Sequence, residues 1–145
     1  MTQYSQGKEA LPMQVVRSHE RASREGPAQW FTGSVWIDEI AKSPEPSRIR
    51  FFWMNFAPCA RTAWHTHPFG QIIHVIAGNG LVQLECESVQ PIHPGDTVAI
   101  APGERHWHGA APDSALVHLV LQEADDQGVD VVWFEHVSDE EYAMR

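Results

Sequence analysis

Apolar residues in this chain fall in short runs that alternate with period two, and Gly, Pro and Asp interrupt them at close intervals. The runs are "WFTGSVWI", "RIRFFWMNFA", "RTAWHTH", "QIIHVIAG", "GLVQLE", "SVQPI", "TVAIA", "RHWHGA", "ALVHLVLQ" and "VDVVWFEHV". Most are rich in Val, Ile, Phe, Trp and Thr, the residues that suit a pleated, half-buried surface, so each reads as a strand. The punctuation has its own mechanism. "AGNG" signals a hairpin, because Asn79 and Gly80 tolerate positive φ. "HPGD" and "APGE" put Pro before Gly in the order of a type II turn. A helical period is absent until "SDEEYAMR", where Ser138 and Glu141 have the spacing of a capping box. Residues 1 to about 27 are polar and without period. Many short strands joined by Gly/Pro turns predict an all-β antiparallel sandwich or barrel.

Composition narrows the function more than the fold. At 145 residues with 43% hydrophobic content, one domain is expected. A formal charge of −9 argues against nucleic acid and anionic membrane surfaces as partners. The N-terminus "MTQYSQGKEALPMQVV" does not read as a secretory signal, and no apolar stretch has the roughly 18 residues of a membrane span. Cys59 and Cys86 show no disulfide or metal-ligand spacing and read as small apolar fillers, with the cytoplasm as the expected location.

The chemistry concentrates in "ARTAWHTHPFGQ". Alternate residues of a strand share a face, so His65 and His67 project together while Trp64 and Thr66 face away. Pro68-Phe69-Gly70 turns the chain and Gln71 opens the next strand beside them. "APGERHWHGA" repeats the device, with His106 and His108 on one face and Trp107 opposed. Imidazole is the commonest metal ligand among protein side chains, and an amide oxygen is a serviceable fourth.

These segments, in this order and at this separation, resemble the two-part signature of the cupins. The first part, HxH, three or four residues, Glu, six residues, Gly, is met at His65, His67 and Gly78, with Gln71 in place of Glu. The second part, Gly, five residues, PxG, two residues, His, is met at Gly95, Gly103 and His106, with Pro102 one place late. The resemblance implies a double-stranded β-helix (jelly-roll) barrel over residues 28–145, preceded by an irregular N-terminal extension over residues 1–27. "ARTAWHTHP", "PGERHWHGAAP" and "EHVSDEEY" further resemble small bacterial single-domain cupins that include manganese-dependent (R)-selective hydroxynitrile lyases.

By position, the resemblance assigns His65, His67, Gln71 and His106 as ligands of one divalent metal ion, manganese first, with iron, zinc or nickel as alternatives. It places His118 as a candidate base, with Gln122 on the same strand face, four residues on. His108 faces inward beside His106 by alternation and is a candidate second proton carrier or hydrogen-bond donor. Thr62 enters the pocket by family position, although alternation from His65 points it away. Phe52 and Met54 are assigned to the pocket wall; whichever face of "FFWMNF" turns inward, the pocket is narrow and apolar, which suits a small aromatic or apolar substrate. Replacing a carboxylate by Gln71 leaves the ligand set neutral, which weakens metal binding and strengthens Lewis acidity.

The reading is therefore a metal-dependent lyase of hydroxynitrile type. Its alternatives are a non-haem iron dioxygenase and a non-catalytic metal- or small-molecule-binding cupin; two inward histidines, His108 and His118, speak against the last. His74 is off the parity of Gln71 and faces away. His19, His93 and His136 have ordinary polar surroundings. A homodimer or higher homo-oligomer is expected, since exposed edges and "VDVVWFEHV" would gain from burial.

Overall fold

The computed structural model describes residues 13–144; the N-terminal extension up to residue 12 lies outside the described residues. A short 3-10 turn, Ser18–Glu20, precedes thirteen strands: β1 Ser23–Glu25, β2 Phe31–Thr32, β3 Val35–Lys42, β4 Ile49–Phe56, β5 Arg61–Thr62, β6 His65–Thr66, β7 Gln71–Gly78, β8 Gly80–Leu84, β9 Gln90–Ile92, β10 Thr97–Ile100, β11 His106–Ala110, β12 Leu116–Glu123 and β13 Val132–Trp133. One helix, α1 Asp139–Ala143, ends the described chain. Its N-cap is the expected capping box, with Ser138 Oγ accepting from Glu141 N and Glu141 Oε1 accepting from Ser138 N.

Two antiparallel sheets face each other as a jelly-roll barrel. One has the order β1-β3-β4-β12-β7-β10; the other runs β13-β6-β11-β5-β2, with β8 paired to β11 and to β9. Within the stretch read as irregular, Ser23–Glu25 extends the first sheet by pairing with Trp36–Asp38. Burial alternates along the central strands: in β12, Leu116, His118, Val120 and Gln122 are inside, while Val117, Leu119 and Leu121 face out. The apolar core joins Val35, Ile37, Met54, Phe56, Ile73, Val75, Leu116 and Val120 of the first sheet to Phe31, Val82, Ile92 and Ala110 of the second.

The "AGNG" segment is not a hairpin. β7 belongs to the first sheet and β8 to the second, so the chain crosses the barrel wall here. Positive φ falls at Gly78 (78°), one residue earlier than the sequence suggested. A Cβ at Gly78 would stand 1.8 Å from the Ala115 carbonyl oxygen, a contact no side chain tolerates. The two Pro-Gly turns are as expected, with φ of 90° at Gly95 and 75° at Gly103. Cys59 and Cys86 are exposed free thiols at positive φ, not apolar fillers; local backbone geometry rather than packing sets their surroundings.

A clamp holds the C-terminal segment on the barrel. The guanidinium of Arg61, nearly fully buried, donates from Nε and Nη2 to the Val137 carbonyl (3.3 and 2.9 Å) and pairs with Asp139 at 2.8 Å. It also stacks 4.5 Å from the Tyr142 ring centroid, whose hydroxyl donates to Ala110 O at 2.6 Å. No helix among the described residues is long and apolar enough to cross a membrane.

Gly78→Ala should destabilise the fold by roughly 2–4 kcal/mol, since strain at positive φ adds to the clash with Ala115. Urea unfolding measures the loss; an unchanged midpoint would show that the crossing tolerates a side chain.

Candidate metal centre

Two cross-strand pairs build the site from opposite walls. In the second sheet His106 lies directly opposite His65, with Trp133 opposite His65 on its other side. In the first sheet Gln122 lies directly opposite Gln71. Register places each pair on its inner face, and the two faces meet across the barrel: His106 Nε2 and Gln71 Oε1 are 3.1 Å apart. His67 follows β6 in the turn before β7 and completes the group, its ring 4.9 Å from that of His65 and 5.3 Å from that of His106. The His65 and His106 rings are 4.2 Å apart.

Each of these three imidazoles turns Nδ1 outward to a backbone carbonyl: His65 to Ala63 (2.8 Å), His67 to Asp130 (2.8 Å) and His106 to Glu104 (3.0 Å). A carbonyl can only accept, so each Nδ1 carries the hydrogen and each Nε2 presents a lone pair inward. His67 Nε2 is buried with no hydrogen-bond partner. His106 Nε2 and Gln71 Oε1 are then two acceptors in contact, an arrangement that repels unless a cation lies between them. Burial, above all, holds the His65, His67 and His106 pKa values below the ordinary 6.5, that of His106 at about 4, so neutral donors prevail at pH 7. Ring nitrogens of His65, His106 and His108 all lie within 4.8 Å of one another. His65 and His106 with a third imidazole, either His108 or the unpartnered His67, are donors of a kind that suits a divalent metal ion.

His108 differs from the other three. Its Nδ1 is 3.0 Å from His118 Nε2, so its outward nitrogen meets a second imidazole rather than a carbonyl. Both rings are fully buried, and both pKa values are lowered mainly by burial, that of His118 to about 4. His108 reaches the cavity beside the cluster; His118 stands behind it, against Phe56 (5.0 Å). That order is invisible to parity, which gave both residues one inward face.

The cavity is about 310 Å³, at the lower end of small-molecule sites. Phe52, Met54, Thr62, His65, His67, Gln71, His108 and Gln122 all line it. Thr62 faces inward because Ala63 and Trp64 break the chain between β5 and β6, so alternation from His65 does not carry across. Its Oγ1 accepts the His108 backbone N–H at 3.2 Å. Trp30, Phe31, Asp130 and Trp133 also line the cavity and were missed in the sequence. Trp30 and Trp133 stack at 5.4 Å, joining segments about a hundred residues apart for which no spacing rule exists. His74 is on the outer face, paired with Thr97 Oγ1, as its parity required.

Two antiparallel sheets packed face to face, with imidazoles converging between them, define a small jelly roll, and the chain belongs to the cupin family: residues 52–121 match the Cupin domain. It is 52% identical over 130 residues, 90% of this chain and 98% of the relative, to an (R)-mandelonitrile lyase of Granulicella tundricola. Among solved structures it is similar to a cupin-like protein of Thermotoga maritima, at 37% identity and a TM-score of 0.75, covering 81% of this chain and 89% of that one. The polyketide cyclase RemF of Streptomyces resistomycificus shares the fold at 19% identity and a TM-score of 0.69, over 90% and 91% of the two chains.

A divalent ion among these rings should raise the melting temperature and a chelator lower it. At a thousandfold excess over Kd the gain is about 4 kcal/mol. Calorimetry with Mn²⁺, Zn²⁺ or EDTA checks this; coincident melting curves would mean that the rings hold no ion.

Proposed function

We propose that this chain is a metal-dependent lyase that cleaves and forms cyanohydrins of small aromatic or apolar carbonyl compounds. His65, His67, Gln71 and His106 would hold one divalent ion, with manganese as the first expectation. The observation that carries this reading is the His108–His118 pair set beside the converging lone pairs, at the wall of a cavity whose apolar side is formed by Trp30, Phe52, Met54 and Trp133 and whose other side carries Arg24, Glu39, Lys42 and Arg50. The 52% identical relative named for mandelonitrile cleavage supports the same class of substrate.

Held by neutral donors, a divalent ion supplies Lewis acidity toward a substrate hydroxyl or carbonyl oxygen. The chain's own residues do the rest. Phe52, Met54, Trp30 and Trp133 exclude water and take the aromatic group by burial and stacking. His108 Nε2, the nitrogen not engaged by His118, takes the hydroxyl proton; the C–C bond electrons leave with cyanide and the carbonyl forms. His118 shares the resulting charge through the 3.0 Å hydrogen bond, and the proton returns from His108 to cyanide. Thr62 accepts from the His108 backbone, which leaves its hydroxyl hydrogen for the cavity.

A cytoplasmic location accords with the exposed free thiols of Cys59 and Cys86. We propose further that a second copy covers the outer face of the first sheet. Trp36, Ile72 and Ile76 are exposed there beside the outward Trp53, Leu119 and Leu121, while "VDVVWFEHV" adds exposed Val129, Val132 and Phe134.

His65→Ala or His106→Ala should lose stoichiometric metal, read by elemental analysis after refilling; full retention refutes the ligand set. His108→Ala should keep its metal yet cleave mandelonitrile about 100- to 10,000-fold more slowly, with His118→Ala less affected. Oxygen uptake on a catechol or diketone by the iron-loaded protein, with no cyanide release from mandelonitrile, would instead favour a dioxygenase.

A further inference from the structure

We propose that Asp130 is a positioning residue for the metal: acting through Gln122, it decides which atom of Gln71 faces the histidine cluster. The inference rests on the ligand set proposed above. Asp130 Oδ1 lies 3.1 Å from Arg50 Nη1, and its Oδ2 accepts from Gln122 Nε2 at 2.7 Å. Gln122 Oε1 accepts from Gln71 Nε2 at 2.8 Å, and Gln71 Oε1 lies 3.1 Å from His106 Nε2.

A primary amide has a donor end and an acceptor end of nearly the same shape, exchanged by a half-turn of its terminal torsion. Each glutamine alone could therefore sit either way round. An ionised carboxylate has no such ambiguity, because it only accepts. Gln122 must turn its NH₂ to Asp130, which leaves its oxygen for the NH₂ of Gln71. The Gln71 oxygen is then aimed at the cluster, where a lone pair is wanted. In the reverse sense Gln71 would present N–H groups to a cation. The carboxylate stays two side chains from the ion, so it fixes the polarity of the relay without cancelling the metal's charge as a direct carboxylate ligand would. Asp130 meets the cluster a second time through its backbone carbonyl, which accepts from His67 Nδ1 at 2.8 Å.

Asp130→Asn tests the relay at constant shape. The Arg50 guanidinium only donates, so it draws the oxygen of the new amide and leaves NH₂ facing Gln122. Both glutamines then turn over, and Gln71 loses its ligand atom. Mn²⁺ affinity by chelator competition should fall about 10- to 100-fold, the usual effect of losing a group that orients a ligand. The metal-free protein should melt within about 2 °C of the parent, as expected for a substitution that leaves packing unchanged. In a Gln122→Leu background, where the relay is already cut, Asp130→Asn should change affinity by less than about twofold. An equal loss in both backgrounds would mean that Asp130 acts through Arg50 or His67, and overturns the proposal. If Asp130→Asn is silent while Gln71→Leu weakens Mn²⁺ binding, the relay is wrong and the ligand set stands. If Gln71→Leu is silent too, the ligand set itself fails and the relay falls with it.

Discussion

Buried imidazoles with no carboxylate between them set the terms for everything else in this barrel. An unpaired polar group in an apolar interior costs a few kcal/mol, and an imidazolium there costs more. The chain meets this by giving each of His65, His67 and His106 a backbone carbonyl on the outside, which fixes the tautomer and turns the remaining lone pairs to one point. What results is satisfied at its rim and incomplete at its centre. Acceptors face acceptors across 3.1 Å between the two sheets, an arrangement that a cation completes.

Holding those lone pairs in place is a matter of register. The His65–His106 pair is one rung of the second sheet, and Gln71–Gln122 is one rung of the first. A slip of a single residue in either ladder would turn these histidines or glutamines to the outer face. Backbones also approach closely here: a Cβ at Gly109 would stand 2.5 Å from Ala60 O, so β11 can lie against β5 only with glycine at that position. The Arg61–Tyr142 clamp then draws the C-terminal segment onto the same sheet, and Tyr142 bonds to Ala110 at the end of the strand that carries His106 and His108.

Neutral imidazoles and the amide pair Gln71–Gln122 belong to one electrostatic design. Burial lowers the pKa values of His65, His67, His106, His108 and His118, so His108 and His118 are in their accepting form. Among the described residues Asp130 is the carboxylate joined to the cluster, through two amides, and Arg50 lies 3.1 Å from it. The carboxylate thus stays two side chains from the histidine cluster and is joined to it by hydrogen bonds.

The sequence by itself determined the strand faces, the turn glycines Gly95 and Gly103, the C-terminal cap at Ser138 and the residue types of the cluster. These depend on period two, on φ at single residues and on lone-pair chemistry, all of which act within a few residues. Only the tertiary structure decided that Gly78 marks a crossing between sheets, that Thr62 faces inward past the break at Ala63 and Trp64, and that His118 stands behind His108. The same holds for Trp30, Trp133 and Asp130, which come to the site from outside both motifs. Each of these depends on which strands pair, where a strand breaks and how far apart two walls stand. Alternation tells a side chain which way to point, but depth and neighbours come from the closure of the barrel.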